Sequence, residues 1–260
     1  MRVAHSVWSK PALCGRWHFE DQLVRDLWSF ALSAHYVKAL GHELVLRTDD
    51  VGAQIFGILP YDEIRCTLDD LQAPDVFWAA GKIETLRIEP LGTVHIDGDV
   101  FIKRREVFDI IETDDYDLLV QSDQLAEAQT VSILRPYLVR FLPQLFDEEN
   151  RSYNCGIVRF LHQELREEFT NAYRKILAYL GRSKQLISMM EQNRTLALDL
   201  VTEQRLLRAL AESGDCNVRR ITADPGGTLH IDADGYEHCM AMSKYLRLRE
   251  IRQELKDENP

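Results

Sequence analysis

Thr93-Val94-His95-Ile96-Asp97-Gly98-Asp99-Val100-Phe101-Ile102 sets two carboxylates, two positions apart, between apolar and largely β-branched flanks. In an extended chain, residues i and i+2 point to the same side. Asp97 and Asp99 therefore face one way, and Gly98 between them allows a bend without steric cost. Carboxylates at a buried strand end are costly without a cation or partner. Such a pair can hold one hard divalent cation through oxygen and leave positions for phosphate oxygens. A polar turn between two hairpin strands would read the same way in isolation, so the surroundings decide.

Upstream, Val3 to Val7 is a short apolar strand, and Glu20 to Leu40 has helical spacing, with Leu23, Leu27, Phe30 and Ala34 on one face. Gly41 follows as a C-cap. Glu43 to Arg47 reads as a second strand ending at Thr48-Asp49-Asp50. That β-α-β unit favours a parallel sheet with a right-handed crossover. After a loop at Leu59-Pro60-Tyr61-Asp62, Asp75 caps a helix through about Arg87, and Gly92 leads into a strand from Thr93 to Ile96. Downstream, Gln121 to Leu145 reads as helix interrupted by Pro136 and Pro143. Gly156 to Phe160 is a strand and Leu161 to Leu180 an amphipathic helix. Helices cover Lys184 to Leu196 and Leu200 to Ala211. Short strands at Val218 to Thr222 and Thr228 to Ile231 precede a polar helix from about Met242. No low-complexity linker divides the chain. The expectation is one α/β domain over residues 1–260, with a helix-rich portion at about 121–215.

Composition narrows the class. The chain has 260 residues, 45% of them hydrophobic, enough for a full core. Its five cysteines (Cys14, Cys66, Cys155, Cys216 and Cys239) are scattered and odd in number, which argues against a disulfide framework or a structural zinc site. The formal net charge of −11 argues against a general nucleic-acid binder. An acidic protein can still bind an anionic nucleotide if a cation neutralises the phosphates locally. No apolar run approaches the roughly 20 residues of a membrane span, and a cytoplasmic location is expected.

Carboxylates at a strand end after a β-α-β unit resemble the Asp-x-Asp pair of GT-A glycosyltransferases, which holds manganese or magnesium against a donor diphosphate. Three further stretches resemble the family 8, glycogenin-like retaining transferases. Tyr153-Asn154-Cys155-Gly156-Ile157-Val158 is similar to the Asn-x-Gly stretch that lines the donor sugar. Glu203-Gln204-Arg205-Leu206-Leu207 is similar to the acidic-Gln segment near the reacting carbon. His238-Cys239-Met240-Ala241-Met242-Ser243-Lys244 keeps a His-x-x-Gly-x-x-Lys spacing, with Ala241 in the Gly position. The resemblance implies Asp97, Asp99 and His238 as metal ligands, Lys244 on the diphosphate, and Gln204 or Asn154 beside the anomeric carbon. Ala241, Tyr245 after Lys244, and Glu rather than Asp before Gln204 depart from family 8, so a divergent bacterial-type family is expected.

Other candidates come from position. Lys82 lies on the helix entering the metal strand, where related enzymes place a basic residue toward the donor. Ser6 and Trp8, with Thr48 and Asp49, end the first two strands, where open α/β sheets collect ligands. Gly227-Thr228-Leu229-His230-Ile231-Asp232-Ala233-Asp234 echoes the first stretch, but Asp234-Gly235 is strong turn chemistry, and the first copy is chosen. The expectation is a GT-A, Rossmann-like α/β/α sandwich with a mainly parallel sheet and a helical insertion. Its implied chemistry is Mn²⁺- or Mg²⁺-dependent transfer from a nucleoside diphosphate sugar, a UDP-sugar by preference, to an unidentified hydroxyl acceptor. A nucleotidyltransferase and a non-catalytic relic of the fold are the alternatives. No Gly-x-Gly-x-x-Gly, phosphate loop or nucleophile elbow is present.

Overall fold

A computed structural model describes residues 1–15, 21–126, 128–140, 142–146, 151–192, 198–222, 235–240 and 243–258. Nine strands occur among them: β1 (Arg2–Val7), β2 (Glu43–Thr48), β3 (Glu63–Cys66), β4 (Val94–Ile96), β5 (Val100–Ile102), β6 (Leu118–Leu125), β7 (Arg151–Phe160), β8 (Val218–Arg220) and β9 (Tyr236–His238). Seven form one sheet in the order β3-β2-β1-β4-β7-β6-β8, and β5 pairs with β9 in a second, two-stranded sheet. Strands β3, β2, β1 and β4 run parallel. β7 is antiparallel to both β4 and β6, and β8 is parallel to β6. The parallel half is buried on both faces, which is why Val3, Ala4, Leu44, Val45 and Leu46 form near-continuous apolar runs.

Helices cover both faces. On one, α1 (Gln22–Ala39) contributes Ala34 and Val37 to a cluster with Val94, Ile96 and Val100, joined by Val107, Phe108 and Ile111 from α2 (Arg105–Ile111). On the other, α3 (Ala80–Ile88) and α4 (Gln163–Leu180) pack Ile83, Leu86, Phe169 and Tyr173 against Val120, Val158 and Phe160. Each of these large apolar side chains contributes roughly 1.5–3 kcal/mol on burial. This α/β/α layering with a mainly parallel sheet is the class expected, and it is consistent with a GT-A, Rossmann-like fold.

Several boundaries differ from expectation. Gln121 to Leu125 is strand rather than helix, because its pairing with β7 outweighs local propensity. The helix follows at Ala128–Leu138 and contains Pro136. The strand expected at Gly156 begins at Arg151. The helix expected from Asp75 begins at Ala80. β3, four residues long, and the seven-residue helix at Asp50–Phe56 are too short to show a periodic pattern in sequence. The second Asp-x-Asp copy, Asp232 and Asp234, with its strand Thr228 to Ile231, lies outside the described residues.

The C-terminal helix α5 (Leu248–Glu258) is fastened to α1. Tyr36 donates to Glu254 at 2.5 Å, Lys103 pairs with Glu254 at 2.8 Å, and the Arg252 guanidinium lies 4.5 Å from the Trp28 ring centroid. Arg247 pairs with the buried Glu237 of β9. These contacts fix β9, and through it His238. Among the described residues no helix is long and apolar enough to cross a membrane.

Candidate functional site

Asp-Gly-Asp is not a hairpin turn. β4 stays in the large sheet while β5 leaves it to pair with β9, so Asp97, Gly98 and Asp99 form the crossing between two sheets. The Asp97 N–H donates to the Gly156 carbonyl at 2.8 Å, and the Val100 N–H to the Asp97 carbonyl at 3.0 Å. On the other side β9 lies antiparallel to β5 with His238 opposite Val100, and the Cys239 N–H donates to the Asp99 carbonyl at 2.8 Å. Backbone pairing thus carries His238 to the carboxylates across some 140 positions of sequence. Asp97, Asp99 and His238 each offer a ligand atom within 4.8 Å of the others. His238 Nε2 stands 3.5 Å from Asp99 Oδ1.

Gly98 is required for a reason other than a bend. Its φ is not positive, but a Cβ there would sit 2.2 Å from the Phe30 ring. The missing side chain lets α1 press Phe30 against the crossing.

These residues border a cleft of about 390 Å³ at the carboxyl ends of β1 and β4, lined also by Ser6, Lys82, Asn154 and Gln204. That size suits a small-molecule ligand. Gln204 comes from a wide, π-type turn at Leu200–Arg205, a local geometry frequent at functional sites. Asp199 anchors this turn, accepting from the Ala79 N–H at 2.9 Å, Thr202 Oγ1 at 3.0 Å and Tyr173 Oη at 3.1 Å. Gln204 accepts from Gln124 Nε2 at 3.0 Å. Asn154 accepts from the Gly156 N–H at 2.9 Å and donates to Met240 Sδ at 3.3 Å.

The floor of the cleft is ionic. Lys82 Nζ lies 2.9 Å from Asp97, from Glu203 Oε1 and from the Cys155 carbonyl. Burial alone would strip the Lys82 proton, but Asp97 and Glu203 outweigh it and push the pKa up. Burial raises Glu203 to about 7 against the pull of Lys82. It also raises Asp97, which Lys82 counters and the nearby Asp99 reinforces. Beneath them, burial holds His95 well below its ordinary range; its Nε2 is 2.8 Å from Ser6 Oγ. Lys82 therefore faces Asp97 and Glu203 rather than standing free for a donor. Glu203 entered the sequence reading only as the acidic half of the acidic-Gln segment; its pairing with Lys82 was not foreseen. It stands in a mixed stretch, Leu198 to Leu207, where Asp199, Gln204 and Arg205 are also polar, so no pattern singled it out.

Other candidates fall elsewhere. Asp49 caps the helix at Asp50–Phe56, accepting from the Gly52 N–H, and also accepts from the Ser9 N–H and Ser9 Oγ, all at 2.8 Å. Thr48 is fully buried, and neither residue borders the cleft. Trp8 lines an adjoining pocket of about 140 Å³, which shares Ser6, Phe30 and Trp78 with the cleft. Lys244 falls in a short helical turn, Ser243–Leu246, and its side chain lies outside the description.

The donor set suits a cation. Two carboxylates and one imidazole form a mixed oxygen and nitrogen donor set of the kind that holds divalent first-row metals. Ligands on opposite sides of one ion stand roughly 4.4 Å apart and adjacent ones closer, and His238 Nε2 and Asp99 Oδ1, 3.5 Å apart, fall in the adjacent range. Among the described residues lining the cleft, Lys82 is the one Lys or Arg set against Asp97, Asp99 and Glu203.

A family model described as "Family of unknown function (DUF6734)" matches residues 1–255, and the chain belongs to that family. No curated protein sequence matches it. Among solved structures it is similar to the galactosyltransferase LgtC in complex with donor and acceptor sugar analogs. The identity is 11%, over 85% of this chain and 73% of that one, with a TM-score of 0.38.

Proposed function

We propose that this protein is a metal-dependent glycosyltransferase that moves a sugar from a nucleoside diphosphate sugar, a UDP-sugar by preference, to an acceptor hydroxyl. The observation that carries this reading is the convergence of Asp97, Asp99 and His238 on one cleft. The order of four motifs that resemble family 8 supports it. In this reading Asp97, Asp99 and His238 hold Mn²⁺ or Mg²⁺, which supplies Lewis-acid stabilisation of charge on a leaving diphosphate. Asn154 and Gln204 line the sugar side, Gln204 held by Gln124. Lys82 keeps Asp97 ionised and oriented. Lys244 contacts the diphosphate, and the outcome is retention at the anomeric carbon.

A thermal-shift series with nucleosides and nucleoside diphosphates, with and without Mn²⁺, tests the binding half. Ligands that bind the native state raise the melting temperature by mass action. Diphosphates should stabilise strongly only with Mn²⁺, and nucleosides weakly. Release of free sugar and nucleoside diphosphate from a sugar donor tests the chemical half. Release of pyrophosphate from a nucleoside triphosphate would reassign the protein to nucleotidyl transfer.

A further inference from the structure

Two buried polar atoms without a hydrogen-bond partner among the described residues face the same small space: Gln121 Oε1 and His238 Nδ1. The space is the one that Gly156 leaves. A Cβ at Gly156 would lie 2.4 Å from Gln121 Oε1, 2.6 Å from His238 Cε1 and 2.9 Å from His238 Nδ1. The backbone builds this meeting. Along β6 and β7, Val120 pairs with Val158 and Ser122 with Asn154, so Gln121 alone stands against Cys155, Gly156 and Ile157. Such irregularities re-aim side chains and recur beside active sites. Gln121 is almost fully buried, 1% exposed, and so cannot be satisfied by bulk water.

We propose that Gln121 is a positioning residue for His238: its amide carbonyl accepts the Nδ1 proton across the Gly156 gap and turns Nε2 toward Asp99. This rests on the metal reading of the site only for its purpose, since the orientation itself is a property of the metal-free protein. The chemistry is direct. A buried carbonyl and a buried ring nitrogen each carry a desolvation cost while unpaired. A hydrogen bond between the two relieves both. The partner of one imidazole nitrogen decides which nitrogen holds the proton. With Nδ1 donating to Gln121, Nε2 keeps its lone pair on the side of Asp99. Partners of this kind orient metal-binding histidines and raise their affinity, and their loss costs roughly 10–100-fold. Gly156 acquires a role that does not depend on its own flexibility: any side chain there would separate Gln121 from His238.

The test has two readouts on Gln121→Leu, Gln121→Glu and Gly156→Ala, with thermal melts confirming that each variant folds. The first is the ¹⁵N chemical-shift pattern of His238 in the metal-free protein, assigned by its loss in His238→Gln. The wild type and Gln121→Glu, which keeps an acceptor, should show the Nδ1–H form. Gln121→Leu should show a mixture or the Nε2–H form. The second is Mn²⁺ affinity by electron paramagnetic resonance. It should weaken about 10-fold or more in Gln121→Leu and Gly156→Ala and stay within about threefold in Gln121→Glu. A wild-type His238 protonated at Nε2, or a pattern unchanged in Gln121→Leu, overturns the proposal. If the wild type binds no Mn²⁺, the metal reading fails, and the ¹⁵N comparison still decides whether Gln121 positions His238.

Discussion

Two parallel strands of this sheet end in aspartate, and the two ends have become different things. At the end of β2, Asp49 has both carboxylate oxygens engaged, one by the Gly52 N–H and the other by the Ser9 N–H and Ser9 Oγ. At the end of β4, Asp97 faces a cation and Asp99 faces an imidazole, at the edge of a cleft. A carboxylate whose acceptor sites are filled by backbone N–H groups is a helix cap and a brace. One whose neighbours are mobile or ionisable side chains can exchange them for a ligand. Position at a strand's carboxyl end brings a residue near ligands; what occupies its lone pairs decides whether it meets them.

The sharpest way to break this comparison is to remove the cation that the β4 end relies on. Lys82→Met should destabilise the protein by about 3 kcal/mol, because the buried Glu203 would be left without its counterion and facing the partly exposed Asp97. Urea unfolding measures this directly. A loss below about 1 kcal/mol would mean that the floor of the cleft is not held by an ion pair.

Second in size is metal affinity. Asp97→Asn and Asp99→Asn should each weaken Mn²⁺ binding on the order of 100-fold, equivalent to about 2.7 kcal/mol. Asp49→Asn should leave affinity within about twofold. Calorimetric titration of the three variants separates the two strand ends. Equal losses in all three would dissolve the distinction drawn here.

How much of this was legible in sequence follows from which interactions are local. The β-α-β start, the Asp-Gly-Asp stretch and its flanks are contiguous, so composition and spacing displayed them. Asp49 was misplaced as a nucleoside contact because its partners are set by geometry: Ser9 is forty residues away, and nothing in Thr48-Asp49-Asp50 reveals it. Gln121 to Leu125 was read as helix because Gln, Ser and Asp carry no strand signal, and the pairing that makes them strand comes from β7. Gly98 was read as a bend, whereas Phe30, sixty-eight positions earlier, is what requires it. The roles of Glu203 and Gln121 were hidden for the same reason. Their meaning lies in Lys82 and His238, reached through the sheet.

Third is the brace itself. Asp49→Ala should cost about 2 kcal/mol, since it removes an N-cap and leaves Ser9 donors buried without an acceptor. Asp97→Asn keeps its volume, relieves a like charge beside Asp99 and leaves Lys82 paired with Glu203, so its folding stability should change by less than about 1 kcal/mol. Chemical denaturation of the metal-free variants gives both values. The two strand ends would then show opposite profiles: one lost to stability, the other to ligand binding.

The smallest expected effect probes the β4 end through pH. Burial raises the folded-state pKa of Glu203 from 4.5 to about 7. Between those values the folded protein keeps a proton that the unfolded chain releases. The unfolded state then binds fewer protons, so stability falls as pH rises, by at most about 1.4 kcal/mol per unit. The contribution is whole below pH 4.5 and is lost as pH passes through 7. Glu203→Gln imitates the protonated form at every pH and keeps an oxygen for Lys82. Its stability should match the wild type below about pH 4.5 and gain on it by at most about 1.4 kcal/mol per pH unit from there to pH 7. Other groups also titrate in this range; burial holds His5 down to about 3, which destabilises the fold as pH falls below the ordinary imidazole range. Comparing wild type with Glu203→Gln at each pH cancels His5 and leaves Glu203 alone. A difference that shrinks or reverses as pH rises would mean that the charged carboxylate is favoured by Lys82 more than burial disfavours it. The β4 end would then be a closed ion pair, braced as firmly as Asp49, and a cation entering beside Asp97 would have to displace Lys82.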